Sequence, residues 1–199
     1  MSSRTGRPTV YTLAVSIGIL SILLVNCAQL SEQSLILSDV DNFDVNDQGW
    51  HVSEVAESTI PNYSPRGGNP NGYIFAIDRL EAAWYFVASP GFTQKVQKGY
   101  GKVLRFDLMQ SSVANQYDTD DVILTDGKDK LTFNTSYNPG TTWTSYTIPL
   151  DEFSGWEINH KKATKADIER VLSKLTEVRI RGEFVGGADT GGLDNASIL

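Results

Sequence analysis

The chain has 199 residues, with 17 lysines and arginines against 24 aspartates and glutamates, a formal charge of −7. An acidic chain without a basic stripe argues against nucleic acid and against electrostatic attraction to anionic lipid. Cys27 is the only cysteine, so no intramolecular disulfide can form and stability must come from the core, helped or not by an ion.

Arg4 and Arg7 precede an uncharged apolar run at 10–25. As a helix this run reaches roughly 24 Å at about 1.5 Å per residue, short of a hydrocarbon core of about 30 Å. Residues 1–27 therefore read as a secretory signal rather than a spanning helix. The run ends in Leu24-Val25-Asn26-Cys27-Ala28, which resembles a bacterial lipobox. That resemblance implies lipidation of Cys27 and a membrane-held protein, although Asn26 stands where the pattern has Gly, Ala or Ser. The alternatives are an ordinary cleaved signal or an uncleaved anchor.

Residues 28–199 hold every acidic residue and a formal charge of −9, since only Arg4 and Arg7 fall outside. That length supports a single core. Residues 28–41 read as a tether and a first strand around Leu35-Ile36-Leu37, and 42–199 as one domain. Within it, short alternating runs are separated by Gly, Pro, Asn and Asp clusters. Tyr73-Ile74-Phe75-Ala76-Ile77 follows the turn-rich 67–72. Leu104, Phe106 and Leu108 share one strand face, as do Leu131 with Phe133, and Tyr146 with Ile148 and Leu150. Val178 and Ile180 are expected to point inward, with Arg179 and Arg181 outward. Residues 163–175 break the pattern: Ile168, Val171, Leu172 and Leu175 form a stripe on one helical face, and Thr164 with Asp167 resembles a capping box. The expected fold is all-β, a two-sheet sandwich with one short helix.

Several motifs fall in a fixed order. Trp84-Tyr85-Phe86-Val87-Ala88-Ser89-Pro90 comes first, then Tyr100-Gly101-Lys102-Val103-Leu104-Arg105-Phe106-Asp107-Leu108. Asp121-Val122-Ile123-Leu124, Trp143-Thr144-Ser145-Tyr146, Val178-Arg179-Ile180-Arg181-Gly182-Glu183 and Leu193-Asp194-Asn195 follow. Together they resemble the laminin B domain, also called laminin domain IV, over about 43–199. The resemblance implies a galactose-binding-like jelly roll of the cell exterior that binds or spaces rather than catalyses. The epidermal-growth-factor-like repeats that flank this domain in laminins do not occur in the chain.

Related carbohydrate-binding jelly rolls hold Ca²⁺ between an early Phe-Asp/Glu pair and an acid of the last strand. The resemblance thus marks Asp44, after Phe43, and Asp194 as calcium ligands, with oxygen donors that suit this ion. The alternative is that Asp44 caps a turn and Asp194 bonds backbone amides. Strand alternation places Asp194 on one face with Ala196 and Ile198, which points it inward or toward the sheet edge. The acidic cluster Asp118, Asp120 and Asp121 reads as a solvated loop. Tyr63, Tyr117 and Trp156 are the loop aromatics that would stack on a sugar. Trp50, Trp84, Tyr85, Phe86 and Trp143 read as core. Asn62, Asn134 and Asn195 begin Asn-X-Ser patterns. His51 and His160 sit in no triad or metal motif. The expected role is recognition of an extracellular glycan or surface protein. A structural spacer is the alternative, and a carbohydrate-active enzyme is the third class.

Overall fold

The computed structural model describes residues 40–53, 58–77 and 83–199. They belong to the compact unit Asp39–Leu199. Cys27, the signal segment and the strand expected at Leu35-Ile36-Leu37 lie outside the described residues. Among those residues no helix is long and apolar enough to cross a membrane.

Two antiparallel sheets face each other across a single apolar core. The first contains β1 (Val40–Asp41), β3 (Asn62–Ser64), β4 (Tyr73–Ile77), β6 (Val103–Gln110), β9 (Thr144–Pro149) and β13 (Thr190–Ile198). Its order is β3-β4-β13-β6-β9, and β1 pairs with the far end of β13. The second contains β2 (His51–Ser53), β5 (Tyr85–Val87), β7 (Val122–Thr125), β8 (Lys130–Phe133), β10 (Glu157–Ile158), β11 (Lys161–Lys162) and β12 (Glu177–Arg181). Its order is β11-β10-β8-β7-β12-β5-β2. Each strand turns alternate side chains inward, as a pleated backbone requires. Leu104, Phe106, Leu108, Tyr146, Ile148, Val178 and Ile180 are buried as expected, so the jelly-roll sandwich is the observed fold.

Among the described residues two helices accompany the sheets rather than one. The expected helix is α2 (Lys165–Ser173), following α1 (Pro90–Val96) in the chain. In α2 the Thr164 hydroxyl accepts from the Asp167 amide and the Asp167 carboxylate accepts from the Thr164 amide. The unexpected helix α1 starts where Ser89 accepts from the Phe92 amide at 3.2 Å and Pro90 fills the first position. Its seven residues are too few for a visible apolar period, although Phe92 and Val96 are buried.

Three further expectations fail for identifiable reasons. Arg181 is fully buried, held by Asp121 at 3.3 Å and the Tyr117 carbonyl at 2.7 Å, between the rings of Tyr117 and Phe184. Asp121 is itself 2 % exposed and accepts from the Thr135 amide and hydroxyl, so the acidic cluster ends inside the protein. In β13 a bulge between Asp194 and Ser197, with Asn195 at φ 53°, resets the alternation. Asp194 stands opposite Asp107 on the outer face, while Leu193, Ala196 and Ile198 all reach the core.

Candidate functional site

The outer face of the first sheet gathers side chains with chemistry to offer. Along β4, Tyr73, Phe75 and Ile77 point outward, opposite to the buried Ile74 and Ala76. Gly192 of β13 stands between Phe75 and Met109. A Cβ there would lie 3.2 Å from both the Trp143 ring and the Tyr73 ring, so the bare backbone is what lets these rings cover the strand. Tyr73 and Trp143 meet edge to face at 5.3 Å, and Tyr73 and Phe75 lie 5.5 Å apart. All three aromatics are only half-buried.

Trp143, read from sequence as core, is therefore a surface ring. The signal was its parity: Trp143, Ser145 and Thr147 share one side of β9, and Tyr146 and Ile148 the other. Its indole nitrogen donates to the Gly67 carbonyl at 2.8 Å, which ties the ring to the 67–72 loop.

The two proposed metal ligands lie against that loop. The Asp194 carboxylate accepts from the Asn69 amide at 2.6 Å and from the Asn195 amide at 2.7 Å. Asp44 accepts from the Gly72 amide at 3.3 Å and from the Asn42 carboxamide at 2.7 Å. Next to them, Asp107 accepts from the side chains of Asn69 at 3.0 Å and Asn195 at 2.8 Å. Burial pushes the Asp194 carboxyl up to about 7, the Asp107 and Asp44 carboxylates adding to the rise and the two amide bonds opposing it. The donors are hard oxygens of the kind calcium takes, but each carboxylate is turned to an N–H group. Among the described residues no three acidic, histidine or cysteine side chains form a ready-made metal site.

Beyond Asp107 the face opens into a groove of about 400 Å³ running to β1 and β9. Arg105, Asp107, Ser145, Thr147, Asn195 and Ser197 supply its polar lining.

The three aromatics proposed from sequence are not brought together. Trp156 is 1 % exposed, packs on Phe133 and donates to the Pro149 carbonyl, so it is a core residue. Its neighbour Gly155 signalled a turn, but the ring itself folds back under β8. Tyr117 lies over the Arg181 guanidinium, away from this face. Burial pushes its phenol upward and the Glu183 carboxylate adds to this, against the effect of Arg181. Tyr63 is half-buried beside the site, its hydroxyl donating to the Asp44 carbonyl at 2.7 Å.

The L4b domain of human laminin alpha-2 superposes with a TM-score of 0.53 at 12% identity, covering 63% of this chain and 79% of that one. The family 11 carbohydrate-binding module of the Clostridium thermocellum cellulase Lic26A-Cel5E gives 0.51 at 9%, covering 80% and 92%. The cellulose-induced protein Cip1 gives 0.50 at 11%, covering 80% and 96%. A search among curated proteins matches none to this chain. These likenesses establish a shared sandwich. The sequence profile described as Laminin B (Domain IV) matches residues 85–198, from the start of β5 to the end of β13. That span is more than half of the chain and holds most of both sheets, so the protein belongs to the laminin B family.

Proposed function

We propose that this laminin B domain is a non-catalytic recognition module of the cell exterior, and that the outer face of its first sheet binds a glycan. The observation that carries this reading is the half-buried cluster Tyr73, Phe75 and Trp143 beside an open polar groove. Flat rings take the apolar face of a sugar, and neighbouring amides, carboxylates and hydroxyls take its hydroxyl groups. The carbohydrate-binding module among the structural neighbours supports the reading by analogy of fold. A single carboxylate side chain, Asp107, lines the groove, whereas glycoside hydrolysis uses a facing pair.

Screening the full chain on a broad glycan array tests this. Binding that is lost in Trp143→Ala and Tyr73→Ala supports it. A blank array from folded protein overturns it in favour of a spacer or a protein contact. The exposed Ile60 and Ile77, which extend the apolar stripe of β4, favour that second reading.

A structural calcium ion is a further proposal for the same face. Asp44, Asp107 and Asp194 stand around the 67–72 loop, and an ion there would replace amide bonds with ion–oxygen bonds. A melting temperature lowered by EDTA supports the ion. An unchanged one leaves the amides as the partners of these carboxylates.

A further inference from the structure

Arg105 lies on the floor of the groove, in the middle of β6. Its neighbours on that strand, Leu104 and Phe106, are buried at 0 % and 1 %, so alternation turns Arg105 fully outward. Register sets it opposite Thr147 of β9 and Ser197 of β13. Ser145 lines the same space, so Arg105 shares the groove with these three hydroxyl-bearing residues.

Arginines elsewhere in the sheets are paired. Arg179 binds Glu177, and Arg181 binds Asp121. Arg105 makes no side-chain hydrogen bond or ion pair among the described residues, in a chain with seven more negative than positive charges. The nearest candidate partner on its own strand is Asp107, two residues away on the same face. One oxygen of that carboxylate, Oδ2, accepts instead from the carboxamides of Asn69 and Asn195. Arg105 and Asp107 thus both line the groove without pairing to each other.

A guanidinium in this position offers a rigid fork of donors that matches a planar carboxylate or an oxyanion ester, and Asp107, which lines the same groove, is not paired with it. The aromatic cluster lies at the level of Met109, four residues along β6 and so about 13 Å away. Rings and guanidinium would then engage different units of one sugar chain. We propose that the groove selects acidic glycans, with Arg105 reading a carboxylate or sulfate ester on one unit while Tyr73 and Trp143 stack on another. This rests on the glycan reading above and narrows it to a charged class.

The test is calorimetric titration of the full chain with oligogalacturonate, its methyl ester, and a sulfated galacto-oligosaccharide. Esterification removes the charge and keeps the sugar shape. The acid or the sulfated chain is expected to bind about tenfold or more tighter than the ester, as a charge-assisted contact requires, and to weaken with added salt. Arg105→Gln should abolish that preference, and Arg105→Lys should restore part of it. Arg105 is exposed and unpartnered, so both variants are expected to fold. Trp143→Ala should weaken acid and ester alike. Equal binding of acid and ester that still depends on Trp143 overturns the acidic selectivity and leaves the glycan reading standing. A preference that persists in Arg105→Gln overturns the role of Arg105. No binding of any of the three, together with a blank glycan array, overturns both.

Discussion

At the scale of single residues, Arg181 is the clearest case where position outweighs residue type. Period-2 alternation would put it outside with Arg179, yet at the C-terminal end of β12 the segments carrying Tyr117 and Phe184 cover it. There its charge is met by Asp121, by two carbonyls and by two aromatic faces. Breaking such a pair leaves an uncompensated buried charge, which costs about 3–5 kcal/mol. Asp121→Ala should therefore lower unfolding free energy by that order in urea titration, and a loss below about 1 kcal/mol would show that the carbonyls and rings suffice. Sequence made the inward pattern of Val178 and Ile180 legible because apolar parity is a local signal. It could not reveal Arg181, because what satisfies the guanidinium comes from loops some sixty residues away. The surface role of Trp143 was legible, since its parity matched Ser145 and Thr147, but ring size spoke louder for the core.

At the scale of elements, the 67–72 loop and the β13 bulge make one latch. The bulge allows Asp194 and Asn195 to act on the same side of the sheet, where strict alternation would have separated them. This is why the sequence identified Asp194 as a residue needing partners yet grouped it with Ala196 and Ile198. An extra residue in a strand leaves no mark in apolar spacing. The latch has a pH signature. A carboxyl near 7 in the folded protein and about 4 in the unfolded chain means that the native state holds the extra proton between those values. Stability should therefore fall as pH rises from about 4 to about 7 and then level off. Asp194→Asn should remove that part of the slope. Denaturant midpoints at about pH 5 and about pH 8 would show it, and identical slopes in both proteins would mean that Asp194 does not carry the titration. By contrast α2 was legible from end to end, because a capping box and a four-residue apolar stripe are both local. Helix α1 was announced only by Ser89-Pro90.

At the scale of the whole molecule, the tryptophans divide between stability and recognition. Trp50, Trp84 and Trp156 are 2 %, 0 % and 1 % exposed and belong to the core that joins the sheets. Trp84 packs so closely on Gly182 that a Cβ there would come within 1.9 Å of its ring. These three indoles cannot meet a ligand without unfolding. Trp143 alone is half-buried, on the face with the groove. Intrinsic fluorescence should thus respond to a bound sugar through one residue, because stacking removes water from the Trp143 ring and leaves the others unchanged. A saturable spectral shift on adding a binding oligosaccharide, absent in Trp143→Phe, would place the ligand on the first sheet. Phe keeps a ring for stacking, so binding measured by calorimetry should survive in that variant while the optical signal disappears. A shift that persists without Trp143 would instead mean that a core indole moves. The ligand would then act by rearranging the sandwich rather than by resting on its surface.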